Sequence, residues 1–139
     1  MEVAANIVWK GGMRLLAEGQ SGHQVLLDSA QEFGGTGFGA RPTELLLFAL
    51  AGCMTIDLLL VLKKSHQDPD SLSVSIQATR SDQDPKIFNQ ITLEFHIQGP
   101  LVTQQKVDMS LKLSKDKYCS VYHMLLPAIQ VSTKVFLNQ

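Results

Sequence analysis

The sequence is poor in cysteine, in charge and in aromatic side chains, and each shortage removes a class of protein. Two cysteines in 139 residues are too few for a disulfide scaffold, and neither a CxxC pair nor a Cys/His zinc spacing is present. Histidines 23, 66, 96 and 123 are scattered without ligand spacing, so neither metal nor cofactor is expected. Twelve basic residues against thirteen acidic ones leave a formal net charge of -1. That balance carries no electrostatic footprint for nucleic acid or an anionic membrane surface. Charged residues make up 18% of the chain and hydrophobic ones 45%, which excludes a disordered chain. No nucleophile-elbow motif signals a hydrolase. The first ten residues have one basic side chain and no apolar run of signal-peptide length. A cytoplasmic location is therefore expected, where thiols stay reduced. The length suits one domain over residues 1–139.

What is present is an ordered series of short apolar segments around one long one. Residues 5–9 read as a strand ended by Gly11 and Gly12, and residues 13–17 and 23–27 as two more around a turn from Gly19 to Gly22. Gly34 to Gly39 forms a glycine-rich loop that lacks the Lys-Ser/Thr ending of a phosphate loop. Pro42, Thr43 and Glu44 supply a helix start, with Glu44 near the positive end of the helix dipole. Residues 45–62 are apolar except for Thr55 and Asp57, close to the lower limit of a membrane span. Asp57 in mid-span costs about 2.5–3.5 kcal/mol on insertion scales. A buried central helix is the simpler expectation, with a second subunit covering part of it, since so small a domain can hardly surround it alone. Residues 73–79 and 91–97 alternate as an antiparallel hairpin, residues 103–114 read as an amphipathic helix, residues 121–126 as a short helix, and residues 129–135 as a last strand. The whole predicts an α+β fold.

Cys53 lies inside the long helix and shares a face with Asp57, one turn away. An unpaired carboxylate there raises the pKa of the thiol and suppresses it as a nucleophile, so a cation such as Arg14 or Arg41 is needed. Cys119 stands at a predicted helix entrance, where amide groups stabilise a thiolate and Lys115 and Lys117 are near in sequence. The plain alternative is that Cys53 is a small core residue.

Pro42-Thr43-Glu44-Leu45-Leu46, Ala49-Leu50-Ala51-Gly52-Cys53 and Lys117-Tyr118-Cys119-Ser120-Val121, with the cysteines 66 positions apart, resemble the OsmC/Ohr family of thiol-dependent peroxidases and their relatives. The resemblance covers nearly the whole chain. It implies an OsmC-like fold, with antiparallel sheet packed on a long central helix in an intertwined homodimer, and two sites at the subunit boundary. It also implies that Cys53 attacks an organic hydroperoxide and becomes a sulfenic acid. Cys119 then resolves this to a disulfide, and a dithiol reductant of lipoyl or thioredoxin-like type restores the thiols. Peroxidase members add an Arg–Glu pair. Their acid falls directly after the proline, where this chain has Thr43, so Glu44 stands one position late. Arg14 is the better candidate for the arginine and Arg41 the other. A rival reading is a non-catalytic dimeric module that binds a small apolar or acyl ligand at the interface.

Overall fold

Glycine punctuation and short apolar runs give the N-terminal part of the chain its shape. The computed structural model describes residues Met1–Gln139, which divide into two compact units, Met1–Phe48 and Ala49–Gln139. In the first, β1 (Ala5–Trp9), β2 (Leu15–Gly19) and β3 (Gln24–Leu27) form an antiparallel meander in that order. Ile7, Val8 and Trp9 of β1 are exposed.

Past β3 the glycine-rich segment folds around a carboxylate. Asp28, almost fully buried, accepts hydrogen bonds from the amides of Ser29 at 2.8 Å, Thr36 at 3.0 Å and Phe38 at 3.0 Å. The Thr36 hydroxyl adds a fourth at 3.1 Å. The loop's amides thus surround an acid of the chain itself, which accounts for its likeness to a phosphate loop. Two of its glycines are dictated by close approach: a Cβ on Gly35 would lie 1.7 Å from the Ser29 carbonyl oxygen, and one on Gly39 2.5 Å from that of Leu26.

The long helix, α1 (Pro42–Lys64), has an acid in its first turn and two lysines in its last, each complementing the dipole. Leu50, Met54, Leu58 and Leu62 recur every fourth residue and are completely buried, each contributing about 1.5–3 kcal/mol. The rest of the helix is not covered within one chain. Ile56 is 60% exposed and Leu60 52% exposed, so one chain covers one stripe of an evenly apolar helix. The helix has the length and apolar content of a membrane span, as core helices of soluble proteins also do.

The second sheet joins β4 (Ser71–Arg80), β5 (Phe88–Gln98) and β6 (Gln130–Leu137), with β5 in the centre. Alternation places Ile91, Leu93, Phe95 and Ile97 on one face, all fully buried, while Thr92, Glu94 and His96 point the other way. The β4–β5 pair is the predicted antiparallel hairpin. The expected wholly antiparallel sheet is corrected by β6, which pairs with β5 in parallel from Gln90↔Gln130 to Ile97↔Leu137. A parallel neighbour requires a crossover. It consists of α2 (Gln104–Leu113), a wide π-type turn (Ser114–Tyr118) and α3 (Ser120–Leu125). Thr103 caps α2, its hydroxyl accepting the Lys106 amide.

The amides and the Thr36 hydroxyl hold the Asp28 carboxyl down at about 2, below the usual carboxylate range. A depressed pKa favours the folded state while the group is ionised. That advantage is complete above the ordinary value of 3.8 and is lost as pH falls through about 2. Melts followed by circular dichroism should show a lower midpoint for Asp28→Asn at neutral pH. The gap from wild type should narrow steadily below about pH 4.

Candidate functional site

The strongest concentration of reactive groups forms where α1 meets the turn that follows α2. Cys53 and Asp57 are one helical turn apart on α1, and Cys119 comes from the start of α3. The two sulfurs and a carboxylate oxygen of Asp57 all lie within 4.8 Å of one another. Both cysteines are free thiols; Cys53 is half-buried and Cys119 buried. A gap of 66 residues in the sequence is thus closed to side-chain contact.

Ser114 makes the junction. It is fully buried, its hydroxyl donates to Asp57 Oδ2 at 2.7 Å, and its carbonyl accepts the Cys119 amide at 2.8 Å. The π-type turn is what lets one residue do both, because its wider ring carries the chain from Ser114 to Cys119 in five steps. Sequence reasoning placed Ser114 at the end of a helix and gave it no role. A serine five residues before a cysteine was the available signal.

Cys119 caps α3, its sulfur accepting the Tyr122 amide at 3.3 Å. That contact was expected to favour a thiolate, and the outcome is the reverse. Burial pushes the Cys119 thiol up to about 12. Its hydrogen bond with Cys53 and the negative charges of Cys53 and Asp57 act in the same direction, and the Tyr122 amide offsets only part of this. Cys119 is therefore a neutral thiol at physiological pH. The lysines near it in sequence are engaged elsewhere: Lys115 Nζ donates to Thr133 Oγ1 at 2.9 Å, and Lys117 lies over the Tyr118 ring. Beside the site opens a cavity of about 340 Å³, lined by Asp57, Leu60, Val61, Lys64, Leu113 and Tyr118 among others.

The charged residues predicted for the site have contacts of their own within Met1–Phe48. The Arg14 guanidinium stacks 5.2 Å over the Phe38 ring. The Glu44 carboxylate accepts the Arg41 amide at 2.8 Å and pairs with its guanidinium at 3.7 Å. Glu44 thereby closes the first turn of α1 as the third-position acid of a helix start commonly does.

A family model described as OsmC-like protein matches residues 34–134. The chain belongs to the OsmC-like family. Among its relatives, Protein YhfA of Escherichia coli (strain K12) is 35% identical over 129 residues, 92% of each chain. Similar solved structures include an OsmC-like protein from Mycoplasma pneumoniae, with TM-score 0.81, 18% identity and coverage of 100% of this chain and 99% of that one. An organic hydroperoxide resistance protein from Elizabethkingia anophelis has TM-score 0.70 and 18% identity, covering 99% and 97%. At those identities the structures establish the OsmC-like fold. All three motifs on which the resemblance rested lie within the residues matched.

The two thiols of this OsmC-like site should differ in accessibility. In native protein at neutral pH, iodoacetamide should label Cys53 and leave Cys119 unmodified, and both should react after unfolding. Peptide mass spectrometry reads this directly.

Proposed function

We propose that the protein is a thiol-dependent peroxidase-like redox protein that reduces organic hydroperoxides through Cys53 and Cys119. The observation that carries the reading is two free thiols in side-chain contact, one reachable and one buried. The Cys53 thiolate attacks the distal oxygen of the O–O bond; the O–O bond breaks, and the departing alkoxide takes a proton to leave as an alcohol. The sulfenic acid on Cys53 then meets the Cys119 thiol. The S–S bond forms, and the hydroxyl leaves with the thiol proton as water. An external dithiol, lipoyl or thioredoxin-like, exchanges its two thiols for the disulfide and restores the reduced protein. The apolar walls of the adjoining cavity suit an organic peroxide better than hydrogen peroxide. By family resemblance, Arg14 and Glu44 are the charged helpers of the reaction, and a reducing cytoplasm is its setting.

A second reading has one observation of its own. The cavity at Asp57, with aliphatic walls and Lys64 among its lining, has the volume of a small-ligand site. A module that holds an acyl ligand without chemistry would use it as well.

Reduced protein mixed with an organic hydroperoxide and a dithiol should consume the oxidant, and peptide mapping should find a Cys53–Cys119 disulfide. Cys53→Ser should abolish turnover, whereas Cys119→Ser should stop at a sulfenic acid that dimedone traps. Consumption equally fast in Cys53→Ser would sink the mechanism, and a co-purified acyl ligand together with inert thiols would favour the second reading.

The functional unit is proposed to be a homodimer. Its motive is the uncovered apolar surface of Ile56, Leu59 and Leu60 on α1 and of Ile7 and Trp9 on β1. Light scattering should return twice the 15.3 kDa chain mass, and Ile56→Lys should shift the population towards one chain. A wild-type protein that stays monomeric at micromolar concentration contradicts this.

A further inference from the structure

No salt bridge reaches the carboxylate of the dithiol site: Asp57 takes part in none of the four ion pairs of the chain. Its carboxylate is held beside two sulfurs, and the Ser114 hydroxyl fixes it there at 2.7 Å. Two sulfurs and a carboxylate so arranged offer the donor set that a thiophilic cation takes.

We propose that Cys53, Asp57 and Cys119 together bind one thiophilic divalent cation of the zinc class when the protein is reduced. The geometry supports it quantitatively. When three atoms lie within 4.8 Å of one another, some point is within roughly 2.8 Å of all three. Zinc bonds to thiolate and carboxylate are about 2.3 Å and 2.0–2.2 Å. Each ligand atom therefore has to move inward by at most about 0.5–0.8 Å, which small side-chain rotations provide. Two thiolates and a carboxylate form a three-ligand set that leaves the fourth tetrahedral position to water. The Ser114 hydroxyl, donating to Asp57 Oδ2, orients the carboxylate as a hydrogen-bond partner of a metal ligand ordinarily does. Half-buried Cys53 and the cavity that reaches Asp57 supply the way in.

Coordination releases the Cys119 proton, so affinity rises with pH. The cation's two charges offset those of the two thiolates, and it ties up both sulfurs as ligands, which prevents them from joining each other. The cation therefore acts as a protective lock on the reduced dithiol. This goes beyond the hydroperoxide reading and needs no peroxide to be tested.

The probe is Zn²⁺ itself. Reduced full-length protein is titrated against a chromophoric zinc chelator under anaerobic conditions, with proton release followed in weak buffer. The expected result is one zinc per chain with at least one proton released. Binding should be lost when Cys53 is alkylated in the native protein, and should weaken about tenfold or more in Asp57→Asn. Bound zinc should also slow alkylation of Cys53. Reduced wild-type protein that leaves all the zinc with the chelator overturns the proposal, and so does Cys53-alkylated protein that holds zinc as tightly as the unmodified chain. Because alkylation is performed on folded protein, that comparison does not depend on any variant folding. An Asp57→Asn variant that is folded by circular dichroism and keeps wild-type affinity also overturns it, since the carboxylate is then no ligand. Hydroperoxide turnover is read in a separate assay, so failure of either idea leaves the other standing.

Discussion

Ser114 joins two stretches of chain that lie far apart in the sequence. Its hydroxyl holds Asp57 of α1, and its carbonyl holds the amide of Cys119. Both bonds are made by a fully buried residue, where a polar group left without a partner is costly. The pair of contacts therefore fixes the approach of Cys119 to α1. From that approach follow the closeness of the sulfurs, the burial that keeps Cys119 protonated, and the proposal that Cys53 is the sulfur that meets a substrate.

The same junction shows how competing electrostatic effects are decided. A helix start with an amide aimed at sulfur is a setting that elsewhere depresses a thiol pKa. Here the amide of Tyr122 is opposed by desolvation, by a neighbouring thiol and by a carboxylate, and the sum is upward. Cap geometry alone was a poor guide because the cap residue is itself fully buried. Resolution needs the thiolate, and the charge of Cys53 that opposes its formation is removed once that sulfur has become a sulfenic acid. A neutral, shielded Cys119 is thus compatible with the proposed role.

α1 presents a different balance. Its sequence is apolar on every side, but a single chain covers only the stripe through Leu50, Met54, Leu58 and Leu62. Ile56, Leu59 and Leu60 stay exposed on the remaining sides, and contiguous apolar surface of that kind marks an interaction site, which is the physical ground for the proposed second subunit. The glycine-rich loop is self-contained by contrast: Asp28 supplies from within the chain the negative charge that its amides would otherwise seek.

Much of the fold was legible because it rests on local rules. Period-two alternation in β4 and β5, glycine punctuation in the first meander, and the Pro42–Glu44 start of α1 all depend on neighbours in the chain. The cysteine motifs and their order pointed to the family for the same reason, and the Cys53–Asp57 pairing followed from helical repeat alone. The parallel course of β6, the part played by Ser114, and the direction in which the Cys119 pKa moves were not legible. Each depends on which distant groups are brought together and how much water is excluded from between them, and only the tertiary structure decides that.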